Sequence, residues 1–103
     1  MTVVEICVED AVGVRRARDG GADRIEICTD LSCGGLTPAF DEVAAALEVA
    51  PAGGVQVLVR PRPGDFVHSR EEVDRIASDI VTLAAIGRGA PVTLGFVVGV
   101  ITR

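Results

Sequence analysis

The chain has 103 residues, 49% of them hydrophobic and 24% charged, a balance typical of one globular unit. Its net charge is −5, all ten basic residues are arginine, and it has three Phe but no Trp or Tyr. Without a basic cluster or an aromatic stacking surface, nucleic acid is not an expected partner. The start of the chain lacks the pattern of a signal peptide, and no apolar run approaches the ~20 residues needed to span a bilayer, so we expect no membrane partner.

Four apolar runs predict strands, and each is bounded by turn-forming residues. They are 3–8, 24–28, 55–59 and 92–101.

Three helices are predicted between these strands. Asp10 is expected to cap a helix over 11–18, and Gly residues then end it. Thr37, followed by a proline, is expected to be the N-cap of the second helix. Ser69 and Glu72 have the spacing of a capping box and are expected to open the third.

The resulting order is strand then helix three times, followed by a strand. Such alternation with short turns predicts right-handed βαβ units and an α/β fold with a parallel sheet. Four strands and three helices correspond to about the first half of a (β/α)₈ TIM barrel, so residues 1–103 are expected to form a single unit. An open flavodoxin-like sheet is the alternative. It would force Glu5, Glu26 and Arg60 to face helices, whereas a barrel lumen suits them better.

One tetrapeptide pattern occurs twice: Val4-Glu5-Ile6-Cys7 returns as Ile25-Glu26-Ile27-Cys28. Because strand side chains alternate, each copy directs its carboxylate and its thiol to one face. Neighbouring strands lie ~4.8 Å apart, so the two thiols could approach each other, although inward residues of adjacent barrel strands fall in alternating layers. Thiolates are soft metal ligands, whereas core packing is the alternative role of such buried cysteines. Glu5 and Glu26 are candidates for acid–base catalysis or for a structural ion network.

Charged residues also follow the third strand. Arg60 and Arg62 leave its carboxyl end on the same side, which is where barrel enzymes keep their sites. Two guanidinium groups suit a carboxylate or phosphate, so a small anionic ligand is a candidate partner. Asp65 and His68 lie on the same rim and are further catalytic candidates.

Four motifs together resemble the CutC family: 5–8, 20–28, 34–38 and 60–66. The resemblance implies a TIM barrel and a cytoplasmic role in copper homeostasis, with Cys7 and Cys28 as the Cu(I) ligands. The odd number of cysteines also favours reduced thiols in a cytoplasm. Cys33 stands where the family commonly has Glu, and His68 stands where it commonly has Tyr. The segment 87–95 is longer than the corresponding family link, and the later strands are absent, so we expect an amino-terminal fragment.

Three functions remain open at this point. The first is a Cu(I)-binding protein of copper homeostasis, and the second is a barrel enzyme acting on a small anionic substrate, so enzymatic activity is left undecided. The third is an inactive fragment, because half a barrel leaves two open sheet edges. Those edges and the bare inward face predict self-association or a homo-oligomer.

Overall fold

Residues 2–101 are described by the structure, a computed structural model. Their secondary structure comprises β1 (Glu5–Val8), α1 (Ala11–Asp19), β2 (Arg24–Ile27), a short 3₁₀ helix (Leu31–Cys33), α2 (Phe40–Val49), β3 (Val55–Leu58), α3 (Arg70–Gly87) and β4 (Leu94–Val97). The strands lie in the order β1-β2-β3-β4 and all pairs are parallel. The predicted α/β fold with a chain-ordered parallel sheet is therefore confirmed.

All three helices pack on one face of the sheet. Buried side chains of the helices form a single cluster with residues on the helix-covered face of β2 and β3. These strand residues are Ile25, Ile27, Val55 and Val57. Each of these four side chains is fully buried. Because side chains alternate along a strand, Glu26 and Gln56 project from the opposite face. This one-sided arrangement is that of a barrel wall and excludes the flavodoxin-like alternative, which needs helices on both faces.

Local signals set the ends of α1 and α3 as predicted. The Asp10 side chain accepts a hydrogen bond from the Gly13 amide at 2.7 Å, which caps α1. Ser69 and Glu72 form the reciprocal capping box of α3. Both devices satisfy amides that would otherwise lack partners in the first helical turn.

The prediction for the start of α2 is wrong. The helix begins at Phe40, and Thr37 lies outside it. The Thr37 hydroxyl instead accepts from the Arg60 amide at 2.8 Å and donates to the Arg60 carbonyl at 3.2 Å. The Thr37 amide donates to that same carbonyl at 3.1 Å. The hydroxyl and amide of Thr37, which local sequence rules predicted as the N-cap, are thus hydrogen-bonded to the distant Arg60 backbone.

The strands are shorter than the apolar runs that predicted them, with four residues each. At the end of the last run, Ile101 forms an isolated parallel bridge with Val67. This bridge ties the tail of β4 to the loop between β3 and α3. Within residues 2–101, no helix combines the length and apolarity that crossing a membrane requires.

Candidate metal centre

The two thiols of the repeated tetrapeptide lie next to each other. Their sulfur atoms are 3.8 Å apart. The register places Cys7 opposite Glu26, while the Cys28 amide donates to the Val8 carbonyl, so the cysteines are diagonal neighbours across β1 and β2. The alternating layers of a barrel interior argued against contact between the two thiols, but this diagonal position brings them together. Cys7 is exposed, whereas Cys28 is buried at 1% exposure.

A glycine loop covers the buried thiol. A Cβ atom on Gly35 would lie 2.9 Å from Leu58 Cδ2 and 3.2 Å from Cys28 Sγ, so the loop backbone rests directly on both side chains. Gly35 also has a φ of +98°, which favours glycine. Its amide donates to the Asp30 carbonyl, and the Gly34 amide donates to Leu31, so both amides are used within a tight turn. Solvent therefore reaches this thiol pair from the Cys7 side.

The surroundings of the thiols are acidic. Burial, the Cys7 thiol and the charges of Glu26 and Glu9 raise the pKa of Cys28 to about 12. Burial, followed by the charge of Glu5, raises the pKa of Glu26. Glu5 is paired with Arg24 at 2.7 Å, but within the described part of the chain, residues 2–101, neither Glu26 nor Glu9 has an ion-pair partner. The local field therefore disfavours a thiolate alone and favours a bound cation.

The sulfur separation is short enough for one metal ion to contact both thiolates in a partly filled site. Two metal–thiolate bonds of about 2.3 Å hold their sulfurs roughly 3.8 to 4.6 Å apart, depending on the angle at the metal. The observed 3.8 Å lies at the short end of that interval. The Cys33 thiol donates to the Asp30 carbonyl at 3.2 Å. Among residues 2–101, no group of three or more His, Cys, Asp or Glu side chains is arranged to hold a metal, so the two thiols stand as a pair.

Arg60 ties two loops together at the mouth of the sheet. Its Nη1 donates to the Cys33 and Gly35 carbonyls at 3.0 and 3.1 Å, and its Nη2 donates to Gly64 at 2.9 Å. The guanidinium lies 5.0 Å from the Phe66 ring centroid. No carboxylate of residues 2–101 lies within 4.0 Å of it, and its buried Nε has no protein partner. Arg60 thus holds the loop that covers Cys28.

Arg62 is engaged within its own loop. Its Nε donates to Glu72 at 2.5 Å, and its Nη2 donates to the Val67 carbonyl at 2.8 Å and to Asp65 at 3.3 Å. Its Nη1 donates to the Asp65 carbonyl at 3.1 Å. The Ser69 amide, followed by Arg62, lowers the pKa of Glu72 to about 2. The Arg62 guanidinium therefore orders the loop between β3 and α3. An anion that bound to Arg62 would have to replace these hydrogen-bond partners.

His68 is buried beneath that loop. Its side chain is 1% exposed, and neither ring nitrogen has a hydrogen-bond partner within residues 2–101. Its Nδ1 lies 3.6 Å from Glu72 Oε2, which is too long for a hydrogen bond. Its backbone amide donates to the Ile101 carbonyl. The structure therefore places His68 away from solvent, between α3 and the tail of β4.

Sequence reasoning missed Glu9 and the covering role of Gly35. The Glu9 carboxylate accepts from the Leu31 amide at 2.9 Å, which links the loop after β1 to the loop after β2. Its charge also contributes to the raised pKa of Cys28. The available signal was position, since Glu9 follows β1 at the carboxyl edge where barrel sites lie.

Comparison with known proteins gives a consistent assignment. A family model described as the CutC family matches residues 2–103. CutC family proteins of Agrobacterium fabrum and Pasteurella multocida are 45% identical over 87 residues and 35% identical over 100 residues. These matches cover 82% and 97% of this chain, but only 33% and 38% of the relatives.

A solved structure extends the match to three dimensions. It is a CutC protein of Streptococcus agalactiae, whose name refers to copper homeostasis, with a TM-score of 0.82 and 27% identity. The match covers 100% of this chain and 48% of the solved chain. The chain therefore spans about a third of the two relatives and about half of the solved structure, which has a TIM-barrel fold. Motifs, fold and comparisons agree, and the chain belongs to the CutC family.

Proposed function

We propose that this chain binds Cu(I) through Cys7 and Cys28 and takes part in cytoplasmic copper homeostasis. The observation that carries the proposal is the 3.8 Å separation of the two sulfurs. Soft thiolate ligands select Cu(I), and the acidic surroundings favour a cation. The name of the solved relative, which refers to copper homeostasis, supports the same reading. The exposed thiol of Cys7 offers the entry route, and the ion would then reach the covered Cys28.

Competitive titration tests this function. Reduced, metal-free protein is titrated with Cu(I) in the presence of a chromophoric chelator. Cys7→Ser and Cys28→Ser are each expected to lower affinity by at least about tenfold, because each removes one of two ligands. Cys33→Ser is the matched control and is expected to leave affinity unchanged. If all three variants bound Cu(I) as tightly as the wild-type chain, Cys7 and Cys28 would not be its ligands.

The pH dependence supplies a second test. The raised pKa of Cys28 means that its proton must be displaced when a metal binds. Affinity for Cu(I) is therefore expected to rise between pH 6 and pH 8 in the wild-type chain, in proportion to the protons released. Binding without proton release would contradict thiolate coordination by Cys28.

A second candidate function is an enzyme that acts on a small anionic substrate. The buried Arg60 charge, which has no carboxylate partner among residues 2–101, favours it, and so does the raised pKa of Glu26 in the lumen. In this reading Glu5 and Glu26 act as acid–base groups, and Arg60 and Arg62 hold the anion. Asp65 lies in the same exposed loop, whereas His68 is buried beneath it and takes no part. An anion could bind only if both arginines gave up hydrogen bonds to their present protein partners. Inorganic phosphate that shifts the Arg60 Nε–H resonance would support this function, and an unchanged spectrum would oppose it.

A further inference from the structure

The loop over the buried thiol of Cys28 is held at two places. This cover loop, residues 29–36, is closed at its base by an antiparallel bridge between its first and last residues. Further along the loop, Arg60 Nη1 donates to the carbonyls of Cys33 and Gly35 at 3.0 and 3.1 Å. The base is therefore fastened from within the loop, whereas the part that rests on the thiol is fastened by a side chain from after β3.

The Arg60 guanidinium binds backbone rather than a carboxylate. Arg60 is 9% exposed, and no carboxylate of residues 2–101 lies within 4.0 Å of its guanidinium. Its Nη2 donates to the Gly64 carbonyl at 2.9 Å, and the Phe66 ring centroid lies 5.0 Å away. Burying a charge is costly, but hydrogen bonds from a charged donor are about twice as strong as neutral ones. The interactions of this buried cation thus serve to hold the two loops together.

The same contact fixes the position of the third cysteine. The Cys33 thiol donates to the Asp30 carbonyl at 3.2 Å, while the Cys33 carbonyl accepts from Arg60. In the described part of the chain, residues 2–101, Cys33 does not join Cys7 and Cys28 in a group that could hold a metal. Cys33 follows Cys28 closely in the sequence, so a released cover loop could bring its thiol to the other two.

The number of available thiols bears on which metal is preferred. Structural zinc sites almost always have four tetrahedral ligands, and thiolate is among the ligands that Zn²⁺ takes most often. Soft thiolates select Cu(I). Cys7 and Cys28 supply half of a zinc coordination shell, and a third thiol would bring the site closer to a complete one.

We infer that Arg60 determines the metal specificity of the site formed by the two thiols, because it holds the cover loop in place and keeps the Cys33 thiol away from them. The site then offers two thiolates, and Zn²⁺ is disfavoured. The metal chemistry in this inference rests on the proposed function. The hold of Arg60 on the loop does not, since it is measured without metal.

Alkylation of metal-free protein, resolved by mass spectrometry for each cysteine, tests the hold on the loop. Arg60→Gln is expected to raise the alkylation rate of Cys28 at least about tenfold, because each lost charged hydrogen bond shifts local opening by about that factor. Arg18→Gln is the matched control, since Arg18 also donates to a backbone carbonyl, that of Val49 at 3.1 Å, but lies on α1. It is expected to leave the rate unchanged. Circular dichroism verifies that both variants fold.

Zinc titration against a chromophoric chelator tests the specificity. Arg60→Gln is expected to bind Zn²⁺ at least about tenfold more tightly than the wild-type chain, a typical size for changes around the ligands of a metal. Adding Cys33→Ser to Arg60→Gln is expected to remove this gain. An unchanged zinc affinity in Arg60→Gln, or a gain that survives Cys33→Ser, would overturn the inference.

A further measurement leaves Arg60 in place. In the otherwise wild-type chain, Cys33→Ser is expected to leave zinc affinity unchanged, and a loss would overturn the inference because Cys33 would already be a ligand. Failure of the wild-type chain to bind Cu(I) would refute the proposed function without changing the alkylation result. Equal alkylation of Cys28 in Arg60→Gln and in the wild-type chain would refute the role of Arg60, even if Cu(I) binds.

Discussion

Replacing Gly35 by alanine tests how the loop after β2 covers the buried thiol. Gly35 has a φ of +98°, and an added Cβ would lie 2.9 Å from Leu58 Cδ2 and 3.2 Å from Cys28 Sγ. Gly21 has a nearly equal φ of +101°, but nothing lies within 4 Å of its added Cβ. The pair of variants therefore separates backbone strain from steric contact.

The two costs are expected to differ. Backbone strain at a residue with positive φ costs about 1–3 kcal/mol, and this is the full expected effect of Gly21→Ala. Overpacking against Leu58 and Cys28 adds about 1–3 kcal/mol in Gly35→Ala, for a total of about 2–6 kcal/mol. Since a domain of this size has about 5–15 kcal/mol of stability, Gly35→Ala is expected to remain folded but clearly weakened.

Urea denaturation of both variants gives the free energies of unfolding. Alkylation of Cys28, followed by mass spectrometry under native conditions, reports whether the loop has lifted. Gly35→Ala is expected to increase the alkylation rate, whereas Gly21→Ala leaves it unchanged. Equal stability loss in the two variants, or equal Cys28 reactivity, would refute the view that Gly35 packs on the thiol.

Three further predictions concern titrating or buried groups. The pKa of Glu72 is lowered to about 2 from its ordinary 4.5, so its contribution to stability is present above pH 4.5 and is lost as pH falls towards 2. Acid denaturation of Glu72→Gln should lack that dependence, and an unchanged profile would contradict it. The pKa of Cys28 is raised from 9.0 to about 12, so the free energy of unfolding should fall as pH rises through that interval, and Cys28→Ala should not show this fall. Since neither nitrogen of His68 has a partner among residues 2–101, His68→Phe should raise stability by about 1–3 kcal/mol in urea denaturation, and a loss of stability would contradict this expectation.

The sequence by itself determined the order of the elements and the faces of the strands. Strand alternation assigns Glu26 to the inward face and Ile25 to the outward face without knowledge of any partner. The capping box of Ser69 and Glu72 marks the start of α3 for the same reason, because its bonds join residues three positions apart. Signals of this kind depend on neighbours in the chain, so they hold unless a long-range partner competes for the same groups, as Arg60 does for Thr37.

Tertiary structure decided which side chains meet. The 3.8 Å contact between Cys7 and Cys28 depends on the register of β1 against β2, which spacing along the chain does not specify. Thr37 does not cap α2, because the backbone of Arg60, 23 residues away, offers its hydroxyl both a donor and an acceptor. Gly35 covers Cys28 only because the loop after β2 folds back over the sheet. These contacts join residues that are distant in sequence, and their geometry is set when the strands pair and the loops pack on them.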